Sequence, residues 1–392
     1  MTAKRIAFVT GTRADFGKLK PLMQKVKETA GLEYAIFATG MHMLARYGST
    51  VREILHSGFE HVHPYINQDA SVSSQMDLVL ANTIQGLGHY VRESQPDMIV
   101  IHGDRVEALA GAVVGALNNT LVAHVEGGEL SGTIDELLRH SISKLSHLHF
   151  VSHDEARHRL LQMGEAAESV FVIGSPDIDV MLSDKLPPLA EVKRHYDIVF
   201  DDYAILMYHP VVTALGGLRD NIRAVLQAAR DSGLCFVTVY PNNDAGSEVI
   251  LGELESVRGH PRFRLLPSMR FEYFLSLLKH ARAIVGNSSS GIHEAPVYGV
   301  PTINIGTRQM NRFVHASIAD VPEDAGRILQ ALQQARRGCA PCFHFGRGDS
   351  AERFAARLSD PPLWMTPRQK QFRDLRSTRA TVPGSPLRAV AL

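Results

Sequence analysis

Short apolar segments alternate with helical patterns along most of the chain, and this alternation limits the possible fold more than any other feature. Strands separated by helices pair in parallel, because a crossover helix returns the chain to the same end of the sheet. The sequence therefore predicts an α/β protein with parallel sheets. The predicted strands are Arg5–Thr10, Glu33–Thr39, Met98–His102, Leu121–Glu126, His149–Val151, Val170–Ile173, Tyr203–Tyr208, Cys235–Tyr240, Phe263–Leu266, Ala283–Val285 and Thr302–Ile305.

The predicted strands form two series, joined by a weakly periodic connection at Glu191–Asp202. A chain of 392 residues suits two domains of ordinary size. We therefore predict two Rossmann-like halves, residues 1–185 and 200–365. A short helix from Pro367 and a frayed tail are expected in residues 366–392. The predicted helices are Lys18–Thr29, Glu107–Leu117, Leu218–Asp231, Phe271–His280, Ser290–Tyr298 and Pro322–Arg336.

Composition argues against several classes of protein. The 41 basic and 41 acidic residues balance, whereas nucleic-acid-binding proteins usually carry a basic excess. No apolar run approaches the roughly 20 residues of a membrane span, and the N-terminus lacks a signal-peptide core, so we expect a cytoplasmic protein. Three cysteines cannot form a disulfide framework, and the isolated Cys339-Ala-Pro-Cys342 motif lies outside the usual context of a redox site.

Polar or glycine-rich segments follow six of the predicted strands. In open α/β sheets, ligands bind beyond the carboxyl ends of the strands. These segments therefore predict one ligand-binding crevice between the two halves. They are Gly11–Gly17, Gly103–Arg105, Glu126 with the glycines after it, His209–Pro210, Pro241–Asp244 and Gly286–Gly291.

The first half contains an unusual density of charged motifs. The segments His102–Arg105, His124–Glu136 and Arg139–His140 together hold five carboxylates, two arginines and three histidines. Carboxylates that are buried or half-buried carry a desolvation cost unless they are paired or used. This cluster therefore predicts a catalytic pocket.

The serine-rich segment Gly286–Gly291 predicts a phosphate site, because a loop that opens a helix presents N–H groups and hydroxyls to an anion. The alternative is an ordinary serine N-cap. Glu294, one helical turn further, suits a ribose diol. Arg13 offers a planar fork for phosphate, with a salt bridge to Asp15 or Asp104 as the alternative. No G-x-G-x-x-G motif follows a strand, so NAD is not indicated.

Several long motifs are specific when they are taken together. They are Gly11–Gly17, His102–Arg105, His124–Asp135, Arg139–Lys144, His209–Pro210, Gly286–Pro296 and Gly306–Gln309. These motifs closely resemble the hydrolysing UDP-N-acetylglucosamine 2-epimerases of sialic acid synthesis, and the similarity runs from about residue 4 to 375. The resemblance implies a GT-B-like fold, in which two Rossmann-like domains face an interdomain cleft.

The resemblance also implies a reaction, in which UDP-N-acetylglucosamine and water give N-acetylmannosamine and UDP. In this family UDP leaves by anti elimination through a 2-acetamidoglucal, and hydration then inverts C2. No cofactor and no metal are implied. The implied partner is the UDP-sugar substrate, without nucleic acid or membrane. The family is often oligomeric, so a homo-oligomer is also expected.

Roles are carried over residue by residue from the resemblance. Asp104, Glu126 and Asp135 become the acid/base candidates, and His209 a group that neutralises or protonates the departing diphosphate. Glu136 stands where relatives often have a second aspartate, and its role stays open, as does the division between base and acid. The implied substrate-binding residues are Arg13, Asp15, Lys18, Arg105, Asn243, Arg270, Phe271, Ser288, Ser289, Ser290, Gly291 and Glu294. A core position for Phe271 is nearly as well supported as a contact with uracil.

Four alternatives remain at this point. The same chemistry on UDP-N,N′-diacetylbacillosamine is a close rival, because the two sugars differ at C4 and C6 and no residue decides between them. A non-hydrolysing epimerase fits less well around Glu126, where Gly127–Gly132 has the hydrolysing pattern. A GT-B glycosyltransferase does not require the acid cluster, and an inactive UDP-sugar sensor would have no reason to keep it.

Overall fold

Two parallel β-sheets form the framework of this computed structural model, which describes residues 3–68 and 75–375. Within the described residues, the first sheet has the strand order β3-β2-β1-β4-β5-β6-β7 and every pairing in it is parallel. Its strands are β1 (Lys4–Thr10), β2 (Leu32–Ala38), β3 (Val62–Pro64), β4 (Met98–His102), β5 (Leu121–Val125), β6 (Leu148–Val151) and β7 (Val170–Val172).

The second sheet repeats this plan in the later part of the chain. Its strand order, for the described residues, is β10-β9-β8-β11-β12-β13, and its pairings are also parallel. The strands are β8 (Ala204–Met207), β9 (Phe236–Val239), β10 (Phe263–Leu266), β11 (Ile284–Gly286), β12 (Thr302–Ile305) and β13 (Ile318–Val321).

Helices connect the strands and pack against the two sheets. In the first part of the chain they are α1 (Arg13–Glu28), α2 (Val51–His56), α3 (Met76–Ser94), α4 (Val106–Leu117), α5 (Ile134–Leu145), α6 (Asp154–Gln162), α7 (Pro176–Met181) and α8 (Leu189–Tyr196). They continue with α9 (Leu218–Asp231), α10 (Ser247–Leu254), α11 (Phe271–His280), α12 (Ala325–Gln334), α13 (Ser350–Leu358) and α14 (Pro361–Trp364).

Alternate residues of a strand point to opposite faces, and both faces of the first sheet are buried. In β4, Met98 and Val100 join one apolar cluster, whereas Ile99 and Ile101 join the cluster on the other face. This explains why the sequence shows unbroken apolar runs there, as is typical of parallel strands covered by helices on both sides.

The chain crosses between the two cores twice. Ile178 and Met181 of α7 pack in the core of the second sheet. Phe354, Leu358 and Leu363 of α13 and α14 pack in the core of the first sheet. The bounds 1–185 and 200–365 stay predictions as domain limits, but the packing places α7 with the second core and α13 with the first.

Some predicted elements were wrong. The predicted helix Ser290–Tyr298 is two short 3₁₀ turns, Ser289–Gly291 and Ala295–Tyr298, because Pro296 lacks an N–H and its ring disfavours a continuous α-helix. The predicted connection at 191–202 contains most of α8. Strand β5 ends at Val125, since Glu126 takes a left-handed backbone conformation with φ 61°.

The segment after α14 does not form the expected helix from Pro367 in residues 367–375. It lies along the first half, where Lys370 Nζ donates to the carbonyl oxygens of Ser143 and Ser146 at the end of α5. Lys370 also contacts Glu165 Oε2 at 2.6 Å. A cation at the carboxyl end of a helix is favoured by the helix dipole. The predicted frayed tail falls largely outside the described residues.

No helix in the described ranges is both long enough and apolar enough to cross a membrane.

Candidate active site

A cleft between the two sheets collects most of the polar segments that follow the strands, and its cavity volume is about 260 Å³. The first wall of the cleft consists of residues after β1, β4 and β5 and at the start of α5. The second wall consists of residues after β8, β9, β11 and β12. Predicted site residues on the cleft surface are Arg13, Asp15, Lys18, Arg105, Asp104, Glu126, Asp135, His209, Phe271, Ser288, Ser289, Ser290 and Glu294.

Asp104 forms an ion pair with Arg139, whose side chain is only 2% exposed. Arg139 rises from α5 and also donates to the carbonyl oxygen of Glu129 at 3.3 Å. Burial alone would raise the pKa of Asp104, but Arg139, Arg312 and Arg308 outweigh it and hold the pKa below its ordinary value. Asp104 is therefore an ionised carboxylate with a buried arginine as its fixed partner.

Glu126 has both carboxylate oxygens engaged. Ser175 donates a hydrogen bond to Oε1, and Oε2 lies 3.0 Å from His102 Nε2 and 3.7 Å from Lys18 Nζ. Burial alone would raise the pKa of Glu126, yet the Lys18 and His102 cations hold it well below its ordinary value. Glu126 is thus ionised and held in one orientation.

Lys18 links both walls of the cleft. Its ammonium lies 3.0 Å from Asp177, 3.5 Å from Glu294 and 3.7 Å from Glu126. Burial alone would lower the pKa of Lys18, but the three carboxylates keep it well above its ordinary value. The charge of Lys18 is therefore compensated by carboxylates of the protein.

Asp135 differs from the other two carboxylates of the acid cluster. It lies in the first turn of α5, where its backbone N–H donates to the capping side chain of Thr133. Arg308 Nη2 approaches it across the cleft at 3.4 Å. Burial and the neighbouring Asp104 charge nevertheless raise the pKa of Asp135. Among these three carboxylates, only Asp135 is pushed toward the protonated state.

His209 is held by the loop after β11. Its backbone N–H donates to Asn287 Oδ1 at 2.6 Å, and Asn287 Nδ2 donates back to the His209 carbonyl oxygen at 2.9 Å. The N–H of Asn242 donates to His209 Nδ1 at 3.2 Å, which places the ring proton of the neutral form on Nε2. Burial, then Arg308 and Arg105, lower the pKa of His209 well below its ordinary value. His209 is therefore a neutral hydrogen-bond donor in this structure and supplies no charge.

Four predicted site residues do not lie on the cleft surface. Glu136 points away and accepts a hydrogen bond from the N–H of Ser131 at 2.8 Å. Asn243 faces a small neighbouring pocket, Arg270 contacts Glu53 at 3.2 Å, and Gly291 packs against Thr302. Asp135 and Glu136 are consecutive on α5, so the two side chains leave the helix in directions about 100° apart.

The predicted salt bridge from Arg13 to Asp15 or Asp104 was wrong, and a role of Arg13 in phosphate binding stays a prediction. Arg13 contacts Glu53 at 2.5 Å and donates to Ser268 Oγ at 2.7 Å on the other side of the cleft. Phe271 packs in the second core, which confirms its predicted core position, and it also lines the cleft, so its contact with uracil stays a prediction.

Sequence analysis gave no individual role to three basic residues of the site, of which His102 and Arg308 lay within the quoted motifs and Arg312 did not. Arg308 donates to the carbonyl oxygen of Asn287 at 3.2 Å and contacts Asp135, so it joins the walls. Arg312 contacts Glu129 Oε2 at 2.9 Å. Arg308 and Arg312 follow β12, so the rule that ligands lie beyond strand ends could have found them.

The walls approach so closely that glycine is required at one point. The N–H of Gly132 donates to the Arg308 carbonyl oxygen at 3.0 Å, and a Cβ at Gly132 would lie 1.9 Å from the Thr307 oxygen. A side chain at Gly132 would therefore force the walls apart beside Asp135.

Two groups of side chains in the described residues are close enough to share a metal ion. In the group Glu126, Asp177 and His293, the Lys18 ammonium already supplies the positive charge. In the group His153, Glu155 and His344, His153 Nδ1 caps α6 and Glu155 contacts Arg159 at 3.3 Å. Neither set is arranged as an open metal site.

A family model described as UDP-N-acetylglucosamine 2-epimerase matches residues 24–359. The chain is 47% identical over 380 residues to the UDP-N-acetylglucosamine 2-epimerase of Neisseria meningitidis serogroup B, which covers 95% of this chain and 99% of that protein.

Two further relatives are more distant. The UDP-N,N′-diacetylbacillosamine 2-epimerase (hydrolyzing) of Legionella pneumophila is 33% identical over 92% of this chain and 97% of its own. The polysialic acid biosynthesis protein P7 of Escherichia coli is 32% identical, over 84% of this chain and 85% of its own.

The fold is similar to that of a solved structure. The crystal structure of the Neisseria meningitidis UDP-GlcNAc 2-epimerase bound to UDP-GlcNAc superposes with a TM-score of 0.74 at 18% identity, covering 90% of this chain and 99% of that one. This likeness confirms the predicted α/β, GT-B-like fold class with two Rossmann-like parallel sheets.

Proposed function

The chain belongs to the UDP-N-acetylglucosamine 2-epimerase family, and on that premise we propose that it hydrolyses its substrate while it inverts C2. The proposed reaction converts UDP-N-acetylglucosamine and water into N-acetylmannosamine and UDP, as a step of sialic acid synthesis. The observation that carries this proposal is the meeting of Asp104, Glu126 and Asp135 with Ser288–Ser290 in one cleft. The first group suits proton transfer at a sugar, and the second suits a diphosphate.

Release of UDP is the first step of the proposed mechanism. The C2 hydrogen is not acidic, so cleavage of the C1–O bond leads and positive charge builds at C1. Ionised Asp104 and Glu126 stabilise that charge, because fixed carboxylates in a desolvated site need no reorganisation. One of these two carboxylates then takes the C2 proton, which gives the glucal.

The departing diphosphate meets the second wall. The hydroxyl groups of Ser288, Ser289 and Ser290 and the Nε2–H of His209 donate hydrogen bonds to it. Arg308 supplies the positive charge, since His209 is neutral. The carboxylate of Glu294 is proposed to accept hydrogen bonds from the ribose.

Hydration completes the proposed reaction. Water adds its oxygen to C1 and gives one proton to whichever of Asp104 and Glu126 stayed ionised during elimination, while Asp135 donates a proton to C2 on the face opposite to the one that lost it. The raised pKa of Asp135, caused by burial and by Asp104, suits a proton donor. The contrast with ionised Glu126 supports this division between acid and base.

UDP-N,N′-diacetylbacillosamine is the second candidate substrate, supported by the Legionella relative. The higher identity to the Neisseria epimerase favours UDP-N-acetylglucosamine. A cytoplasmic location and a homo-oligomeric state stay predictions.

The experiment is to incubate the purified enzyme with each UDP-sugar and to identify the products by NMR. We expect free N-acetylmannosamine and UDP from UDP-N-acetylglucosamine. Formation of UDP-N-acetylmannosamine without free UDP would contradict the hydrolysing assignment. Turnover of UDP-N,N′-diacetylbacillosamine alone would favour the second candidate. The Asp104→Asn variant serves as the control for contaminating phosphatases.

A further inference from the structure

His102 bridges two carboxylates that come from different elements. The imidazole ends β4, where its Nδ1 lies 2.9 Å from Asp15 Oδ1 and its Nε2 lies 3.0 Å from Glu126 Oε2. Asp15 belongs to α1 and Glu126 follows β5. Both contacts are ion pairs that deviate from ideal hydrogen-bond directions. A neutral imidazole carries one N–H, so it could face only one of the two carboxylates with a proton.

We propose that His102 is a positioning residue that remains a doubly protonated imidazolium through the reaction and fixes the ionised Glu126 carboxylate toward the sugar. This inference rests on the proposed function, in which Glu126 stabilises charge at C1. The proposed mechanism gives His102 no role of its own, and this inference supplies one.

The charges around His102 favour the imidazolium. From α1 it faces Asp15 and Lys18, and from the end of β5 it faces Glu126. Lys18 in turn holds Asp177 of α7 and Glu294 of the second half, and Asp104 lies two residues beyond His102. Asp104 has Arg139 as its partner, but without the imidazolium the Lys18 ammonium would face Glu126, Asp177 and Glu294, and Asp15 would lose its contact with a cation.

Burial alone would lower the pKa of His102, but Glu126 and Asp15 outweigh it and raise the pKa to about 10. The imidazolium therefore persists throughout the neutral range. His124, in the neighbouring strand, contacts the Gly103 carbonyl oxygen and Ser143 Oγ, which carry no formal charge. Burial lowers the pKa of His124 to about 3. Of these two buried histidines in adjacent strands, His102 is therefore a cation and His124 is neutral.

The bridge ends on atoms that cannot move freely. Asp15 Oδ2 accepts a hydrogen bond from the N–H of Gly11 at 3.0 Å, and this contact anchors the outer carboxylate. At the other end, Ser175 holds the second oxygen of Glu126. Glu126 itself lies at a strained backbone position, with φ 61°. Through Asp15, His102 therefore connects Glu126 to the loop after β1 and restricts the movement of its carboxylate.

The direct test is the ¹⁵N NMR spectrum of the full chain labelled at histidine, with His102→Gln to assign the signal. We expect both ring nitrogens of His102 to stay protonated at pH 8. A neutral His102, or one that titrates near 6.5, would overturn the inference. This spectrum needs no substrate, so it tests His102 even if the proposed reaction is wrong.

The kinetic test separates positioning from a structural role. For His102→Gln we expect kcat to fall about 10²-fold, because a displaced carboxylate loses its catalytic geometry, with KM changed less than about threefold. The acid limb of kcat should move to higher pH, since ionised Glu126 loses a cation and its pKa rises.

His149→Gln is the matched control. His149 is equally buried and lies 3.0 Å from Glu165 Oε2, but it is outside the cleft. It should lower stability and leave the pH profile of kcat unchanged. If His102→Gln loses no more kcat than this control, or keeps the wild-type acid limb, the positioning role is refuted.

Asp15→Asn tests the other end of the bridge. Removing one carboxylate lowers the pKa of His102, so the imidazolium is lost as pH rises through a value below 10. We expect a new basic limb in kcat that the wild type lacks over the same range. An unchanged basic side would count against the bridge. Normal hydrolysis with a neutral His102 would refute this inference alone and leave the proposed function intact.

Discussion

The two walls of the cleft satisfy their polar groups in different ways. In the first wall, Asp104 and Glu126 are ionised and each faces a fixed cation. In the second wall, Ser288–Ser290 present hydroxyl groups and His209 is neutral. Carboxylates that are ionised before substrate binds suit a transition state in which positive charge develops, whereas neutral donors beside the Arg308 guanidinium suit a diphosphate that must bind and then leave. The comparison therefore supports the proposed division, in which the first wall carries the sugar chemistry and the second wall binds UDP.

Asp104→Asn should give the largest loss of activity, and it should impair the chemistry of the first wall without affecting UDP binding by the second. We expect kcat to fall about 10²- to 10⁴-fold, because the amide keeps the shape but loses the charge that stabilises C1. The dissociation constant of UDP, measured by calorimetry, should change less than about threefold. Asp97→Asn, which removes a contact with Lys4 far from the cleft, should leave both quantities unchanged. A large loss of UDP affinity in Asp104→Asn would show that catalysis and UDP binding are not separated between the two walls.

Ser289→Ala tests the second wall, where we expect UDP binding to weaken while kcat is nearly retained. Loss of one hydrogen bond to a charged diphosphate should weaken UDP binding about tenfold. We expect KM to rise by a similar factor while kcat changes less than about threefold. Ser256→Ala, on the surface of the second half, is the control. A greater effect on kcat than on KM would place Ser289 in the chemistry of the first wall.

Lys370→Met should reduce the stability of the first wall without changing the second. Lys370 holds the carboxyl end of α5, whose first turn carries Asp135, and it contacts Glu165. Its loss should cost about 1 kcal/mol of unfolding free energy, measured with urea, with UDP affinity retained. Arg373→Met removes an exposed contact with Glu168 and should cost less. Equal losses in both variants would show that Lys370 has no specific role in stabilising α5.

The contact with Glu165 also predicts a pH dependence of stability. Burial opposes ionisation of Glu165, but His149 and Lys370 outweigh it and lower its pKa to about 2. Its contribution to stability is therefore complete above the ordinary glutamate pKa and disappears as pH falls toward 2. In Glu165→Gln, the loss of unfolding free energy between pH 6 and pH 3 should be smaller than in the wild type. If the unfolding free energies of the wild type and Glu165→Gln fall in parallel with pH, this pH dependence does not come from Glu165.

Glu136→Gln should give the smallest effect. Glu136 accepts the Ser131 N–H and points away from the cleft, and glutamine can accept the same hydrogen bond. We expect less than a threefold change in kcat in a UDP-release assay, in contrast to Asp135→Asn. A loss of kcat comparable to that of Asp135→Asn would show that Glu136 takes part in the reaction.

Much of this division could be predicted from the sequence. Apolar strands buried on both faces leave a continuous signal, so the two sheets were located, and the ends of β4, β5 and β11 were located to within one residue. The carboxyl ends of those strands placed Asp104 and Ser288–Ser290 in one cleft. Edge strands β3 and β13 were missed, since their half-exposed residues lack that signal.

The partners of each charge could not be predicted, because they come from distant parts of the chain. Lys18 meets Asp177 and Glu294 only after the chain crosses between the cores. The direction of Glu136 depends on the helical position of α5, and the neutral state of His209 depends on burial. Sequence spacing identifies residues that can do chemistry, whereas packing determines which of them carry charge.

The most direct test of the account is the reaction of UDP-N-acetylglucosamine in D₂O, followed by ¹H NMR. The account predicts free UDP and N-acetylmannosamine that carries deuterium at C2, because the first wall removes one proton and returns another from a group that exchanges with solvent. Free N-acetylglucosamine, or N-acetylmannosamine that retains the original C2 hydrogen, would contradict it.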